Sequence, residues 1–388
     1  MIKRIWTSIC VLAICLLTGC WDRAELPQKG FVMGVAADEA EGGKIALTTQ
    51  VFRPSQGIGP AGSKAAENAY VNVQTIDDTV PRAIRDIPIN LGRKAQWSHT
   101  RLIIVSEKLA RDRGINNLIE FFMRDHEPRL TISFMIVEGR ADAYLRTKPL
   151  IENTISQQLV QSEETAASFS SKTINSNLLK LGLQMKSEVG NATVPYLYLT
   201  REPSPTVTNT AGIALLKKGK LAGLMPPSKV EILQMLLNEY ESGMIDIPCG
   251  AETESGGIKE AVEVVSARSS WRPVIGEDSV IVSGKLKMDV AITELSCSRV
   301  EKVEEEQQFA KKVEETVERR IAETIDWLKN KKFDALGLGD KVYKKNPALW
   351  KQWKEGWDDR FASSEFHFDV KVRVINSGTT TGNPVLKK

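Results

Sequence analysis

Histidine is nearly absent from this chain: His99, His126 and His367 are the only three in 388 residues. None has a histidine partner at metal-ligand spacing, and there is no Cys-x-x-Cys pair, so a zinc site of ordinary pattern is excluded. A Gly-x-Ser-x-Gly nucleophile elbow is also missing, which leaves a serine-histidine-acid hydrolase without its signature. Charge of one sign is lacking too. Lys plus Arg is 52 and Asp plus Glu is 49, and setting aside Lys3 and Arg4 leaves 50 against 49. Such balance argues against nucleic acid, or a membrane surface bound by electrostatics alone, as the partner. One nucleotide motif is spelled out, Gly57-Ile-Gly59-Pro-Ala-Gly62, but Pro54 and Pro60 place it in a loop with no amphipathic helix opening at the third glycine. The pyrophosphate of a dinucleotide would have no helix N-terminus to rest on. No cofactor is expected, and nothing else looks catalytic.

What is present begins at the N-terminus. Lys3 and Arg4 precede an apolar run from Ile5 to Leu17, well short of the roughly 20 residues a membrane-spanning helix requires. This is the pattern of a secretory signal, residues 1–19, and Leu17-Thr18-Gly19-Cys20 fits a bacterial lipobox. The Cys20 thiol would take a diacylglyceryl group and become the new N-terminus, an anchor and not a catalyst. At about 0.8 kcal/mol per buried methylene, two acyl chains hold a soluble body where one binds only marginally. Of the five cysteines, Cys10 and Cys15 leave with the signal, so Cys249 and Cys297 remain outside the cytoplasm. Two readings stay open for them: a disulfide, or, for Cys297 in its strand context, a small buried apolar side chain, with the second favoured.

The mature chain is expected to be α+β and multi-domain. Residues 20–200 read as an N-terminal α/β domain, with a subdivision near the Gly/Pro/Ser-rich loop 54–69. Phe31–Ala37 and Lys44–Phe52 form a hairpin, and Val71–Ile76 is a further strand. Asp77 or Asp78 caps a helix through Asp86. Arg101–Val105 is a buried strand, Ser106 caps the next helix, and Gly114 separates it from another that ends near Arg124. Leu130–Val137 and Thr193–Thr200 are strands with helices between. Pro203 and Pro205 mark a linker over 201–209.

Residues 210–388 read as a C-terminal α+β domain, an antiparallel sheet packed with long amphipathic helices. Ser228-Lys-Val-Glu231 is a capping box for a helix to Tyr240. Val262 and Val264, Val280 and Val282, and Leu286 to Ile292 alternate as strands with one covered face. Over 300–333, Val303, Ala310, Val313, Val317, Ile321, Ile325 and Leu328 make the stripe of a long helix, with Glu at its start and Lys at its finish. Asn346-Pro347 opens another helix, whose Trp350, Trp353, Trp357 and Phe361 are assigned to core packing. Phe366 to Val374 is a last strand in that sheet, with His367 on its solvated side. The cluster Arg124-Asp125-His126-Glu127-Pro128-Arg129 either pairs internally or faces a partner. Arg124, Asp125, Glu127 and Arg129 are therefore candidate interaction residues.

Cys20-Trp21-Asp22-Arg23-Ala24-Glu25-Leu26 resembles the mature start of the spore germination receptor C-subunit lipoproteins, the Ger(x)C family. The similarity extends through Ser106-Glu-Lys-Leu-Ala110 with Gly114, through Arg124-Asp125-x-Glu127-x-Arg129, through Leu336-Gly337-Leu338-Gly339, and through Pro347, Trp350, Trp357 and Phe361. Where the family more often has Phe-Gly, this chain has Leu336-Gly337, a difference that touches local packing only. The resemblance implies a non-enzymatic subunit of a nutrient-germinant receptor, lipid-anchored on the outer face of the spore inner membrane. Its partners would be two integral membrane subunits, A and B. The rival class is a substrate-binding lipoprotein of a membrane importer, for which two matching α/β lobes around a cleft are expected. An extracytoplasmic hydrolase stands third.

Overall fold

A computed structural model describes residues 28–53, 69–200, 207–250, 257–277 and 279–376, together with Trp6. Cys20 and the loop 54–68, with its glycine motif, lie outside the described residues. In chain order the first part holds β1 (Lys29–Glu39), β2 (Ile45–Phe52), β3 (Tyr70–Asp77), α1 (Val80–Arg85), α2 (Ile87–Leu91), β4 (Lys94–Gln96), β5 (Leu102–Ser106), α3 (Glu107–Asp112) and α4 (Asn116–Arg124). It continues with β6 (Ser133–Val137), α5 (Ala141–Leu145), α6 (Ile155–Ser170), α7 (Leu178–Met185), β7 (Asn191–Thr200), β8 (Val207–Lys217) and β9 (Lys220–Met225).

These nine strands make one sheet, ordered β3-β2-β1-β5-β6-β7-β8-β9, with β4 beside β1. Its centre is parallel, β1 to β5 to β6 to β7, and its flanks are antiparallel. Central strands covered on both faces read as near-continuous apolar runs. Leu102-Ile-Ile-Val-Ser106 and Ser133-Phe-Met-Ile-Val137 are accordingly buried throughout. One face packs Ile103, Val105, Phe134 and Ile136 under α1, α3, α4 and α7. The other packs Leu102, Ile104, Met135 and Val137 under α5 and α6. Of the expected linker 201–209, residues 207–209 belong to β8, which pairs antiparallel with β7, and residues 201–206 lie outside the described residues.

The second part holds α8 (Pro227–Leu237), β10 (Gly243–Pro248), β11 (Lys259–Ile275), β12 (Val280–Glu294), α9 (Val303–Asn330), α10 (Leu338–Lys345), α11 (Pro347–Trp353), α12 (Trp357–Ser363) and β13 (Glu365–Asn376). The sheet order is β10-β11-β12-β13. The first three strands are antiparallel as expected, but β13 enters parallel to β12. The return through α9 to α12 is a long crossover, which a parallel neighbour requires. One face of this sheet is buried beneath α8 to α12, and Ile213, Leu215 and Met225 of the first sheet join the same core.

Several local expectations are corrected. Thr79, not Asp77 or Asp78, occupies the N-cap of α1. Pro227 takes the first turn of α8 and Pro226 its cap, so Ser228 makes no box, and Asn238 in the left-handed region (φ 59°) ends the helix before Tyr240. In α9, Val303 is exposed and Phe309 takes its place in the core. Cys249 and Cys297 form a disulfide, with Cα atoms 5.9 Å apart, against the favoured sequence reading.

Candidate functional site

The polar run after α4 divides by role. Asp125 caps the C-terminal end of that helix, and its Oδ1 accepts the Glu127 amide at 2.9 Å. Glu127 turns inward, where its Oε2 accepts the Trp97 amide and the Gln96 side-chain amide, both at 3.2 Å. These two carboxylates therefore fix the approach to β6, satisfying amides that would otherwise be buried without partners. Arg124 lies on the outer side, paired with Glu120 one helical turn back. Arg129 is exposed, and the side chain of His126 is 96% exposed at 3.7 Å from Asp125.

Arg124 and Asp125 line a groove of about 640 Å³ between α1 and α4, whose floor includes Val80 and Phe121. Its ionic groups are already engaged: Arg113 donates to the Gly43 carbonyl, and Arg124 holds Glu120. A wall of mutually paired charges over an apolar floor presents a mixed surface of the kind found at protein interfaces.

A second concavity, about 430 Å³, opens at the carboxyl ends of β1, β5 and β6. This is where ligands of parallel sheets gather. Asp38, at the end of β1, is 1% exposed. Its two oxygens accept the amides of Ala141 (2.7 Å) and Asp142 (2.9 Å), the opening of α5. Burial pushes this carboxyl above the ordinary aspartate range, while the two amides and Arg140 act against the shift. Lys108 bridges Glu39 and Asp112, and Arg111 holds Glu107, which also accepts the Tyr196 hydroxyl at 3.1 Å. The acids at this rim therefore cap and tie elements together.

The same use of acids recurs where the two parts of the chain meet. Asp334 is 3% exposed and accepts the Leu338 amide (3.0 Å), the Gly339 amide (2.8 Å) and the Trp357 indole (3.1 Å). Its carbonyl takes the Asn191 side-chain amide from β7 at 3.3 Å. Asn191 is thereby held in the interior. Gly337 sits at φ 66°, and Gly339 lies so close to Val189, Trp350 and Trp357 that a Cβ would meet each at 2.6 to 2.9 Å. The Leu336-Gly-Leu-Gly339 run is thus a turn followed by a close approach. Glu188 completes the joint, accepting the Trp350 indole at 2.9 Å and pairing with Lys354.

Beside the disulfide, Glu260 is fully buried, and its Oε1 accepts three successive amides, Ser296 (3.1 Å), Cys297 (2.9 Å) and Ser298 (2.6 Å). Its carboxyl and the two sulfurs are the only group of metal-type atoms found together among the described residues. With the thiols bonded to each other and Glu260 holding the amides, these atoms are arranged as a clamp.

Sequence reasoning missed Asp38 and Glu260 because their partners lie 103 and 36 residues away or more. Asp334 had a local signal, an acid four residues ahead of a helix start.

Residues 22–199 match the family described as spore germination protein N-terminal domain, and residues 211–378 match spore germination B3/GerAC like, C-terminal. Spore germination protein B3 of Bacillus subtilis (strain 168) is 25% identical, over 96% of this chain and 97% of its own length. Spore germination protein KC of the same organism is 22% identical, over 99% and 98%. Spore germination protein A3 is 25% identical, over 98% and 99%. The crystal structure of the GerBC protein superposes with a TM-score of 0.54 at 19% identity, covering 92% of this chain and 100% of that one.

Proposed function

The chain belongs to the spore germination C-subunit family, the Ger(x)C proteins, and from that premise we propose that it is a lipid-anchored, non-catalytic subunit of a spore nutrient-germinant receptor. The carrying observation is the presence of both germination domains, in order, over nearly all of the chain. Relatives named as spore germination proteins match it from end to end.

The anchor is Cys20, and its place is the outer face of the spore inner membrane. No described helix is long and apolar enough to cross a membrane. The acyl chains bring the folded body beside the integral A and B subunits and raise its effective concentration there, so that individually weak contacts suffice for assembly or signalling. Arg124 and Asp125, on their mixed-charge groove, are the proposed contact residues. Asp125 and Glu127 also hold the segment in shape, and Arg129 extends the exposed side.

At the strand-end crevice and at the joint, Asp38 and Asp334 are bonded to main-chain amides and the other acids to Lys, Arg or ring donors, as suits a docking body. The importer-type alternative calls for two matching lobes, whereas the two sheets here have nine and four strands in unlike orders. Spores carrying Cys20→Ala test the proposal. Wild-type protein pulled from spore membranes is expected to bring polytopic subunits with it, and the variant to lose them and to germinate poorly on nutrients. Recovery of no integral partner by the wild type, or normal germination of the variant on every nutrient, would overturn it.

A further inference from the structure

Among the described residues, strand β13 has a neighbour on one side only, β12. In a parallel ladder alternate residues bond to the partner, so the even-numbered residues of β13 aim their amides and carbonyls outward. Helix α9 runs beside this edge and covers part of it. Glu314 Oε1 accepts the Val372 amide at 3.0 Å, and Glu318 Oε1 accepts the Val370 amide at 3.2 Å. Four residues further along the same helix face comes Ala322, which has no acceptor to offer Phe368.

From this point helix and strand enclose a groove of about 730 Å³. The outward amides of Phe366 and Phe368 line it without an acceptor among the described residues. Four carboxylates, Glu318, Asp326, Glu365 and Asp369, line it with the ammonium of Lys329; Asp369 is also paired with Lys371 at 3.3 Å and Glu365 lies 3.6 Å from His367, which leaves the lining acidic on balance.

We propose that this groove is a peptide-binding site in which an extended, basic segment of a partner protein adds as a fifth strand beside Phe366–Phe368. An open strand edge supplies main-chain hydrogen bonds, and the flanking side chains supply selectivity. The helix forms the far wall, and the acidic lining selects Lys or Arg at alternating positions. Because Glu314 and Glu318 close the edge beyond Asp369, the footprint is short, two outward amides and two outward carbonyls. The site does not depend on the receptor role proposed above.

The full chain in detergent micelles is titrated with a fluorescein-labelled (Lys-Val)3 peptide, its (Glu-Val)3 counterpart, and (Lys-Val)3 carrying N-methyl groups on the valine amides. The basic probe is expected to bind saturably and to protect the Phe366 and Phe368 amides from hydrogen exchange, while the acidic and N-methylated probes bind at least tenfold more weakly. The deciding variant is Ala322→Glu, at an exposed helix position that tolerates glutamate. It extends the row of acceptors over Phe368 and should weaken the basic probe at least tenfold, although it adds negative charge. Asp326→Lys, also on the surface, should weaken it as well. Absence of saturable binding to the wild type overturns the proposal. So does tighter or unchanged binding by a normally folded Ala322→Glu, which would mean attraction by charge alone. Self-association through β13, abolished by Ala322→Glu with no peptide binding, would assign the edge to a second copy and overturn it equally.

Discussion

Replacing Glu163 with Gln should change how the stability of the fold depends on pH, and the sign follows from where the carboxyl lies. Glu163, on α6, is 1% exposed. Its Oε1 accepts the Ser176 amide at 2.9 Å, and its Oε2 has no hydrogen-bond partner among the described residues. Burial pushes the group up to about 8, against the Ser176 amide and the Ser133 hydroxyl, which favour the charged form. The native state therefore keeps a proton that the unfolded chain releases above about 4.5, and stability falls as pH rises from about 4.5 to 8. At 1.36 kcal/mol per unit, the full cost of ionising the site is at most about 5 kcal/mol. Relaxation and entry of water should reduce it to about 2 to 4 kcal/mol. Glutamine imitates the protonated acid. Urea unfolding of the Cys20→Ser chain should thus show Glu163→Gln within about 1 kcal/mol of the parent at pH 5 and more stable by about 2 to 4 kcal/mol at pH 9. Glu231, pushed up to about 7 by burial against Arg320, adds a slope of the same sign, but it is common to both proteins and cancels in the difference. Parallel pH profiles for parent and variant, or a parent more stable at pH 9 with the variant less so, would refute the reasoning.

The disulfide encloses a separation of 48 residues, for which loop-closure entropy gives about 4 kcal/mol. Paired Cys249→Ser and Cys297→Ser changes should lower the urea-derived stability by 2 to 4 kcal/mol, about the same loss as reduction of the parent causes. Gly339→Ala forces a methyl group against Val189, Trp350 and Trp357. The expected cost is about 1 to 3 kcal/mol, with a shifted Trp fluorescence spectrum and no change in the far-ultraviolet circular dichroism.

Legibility followed the range of the interaction. The first hairpin, the buried β5 and β6, the Ser106 cap and the Asn346-Pro347 helix start are written in a few neighbouring residues, and each is found in the fold. The aromatic run from Trp350 to Phe361 was readable as core, because its spacing keeps it on the inward face. The direction of β13 was not: alternation marks a strand and its covered face but is blind to whether it runs parallel. Ser228-Lys-Val-Glu231 misled, because Pro227 already opens the helix one residue earlier and carries Glu231 into the interior, opposite Arg320. For the candidate site, the sequence marked Arg124, Asp125, Glu127 and Arg129 as a group. It could not divide them, since the partners that draw Glu127 inward, Gln96 and Trp97, are 30 residues away or more. The open edge at Phe366 and Phe368 depends on which acids of α9 reach the strand, a matter of register between elements some 50 residues apart.

The central claim, a germination subunit held at the membrane by its N-terminus, is tested most directly by the mass of the N-terminal peptide from spore membranes. A peptide that starts at Cys20 and carries a diacylglyceryl group is predicted. One that starts elsewhere, or that bears a free thiol at Cys20, would contradict it.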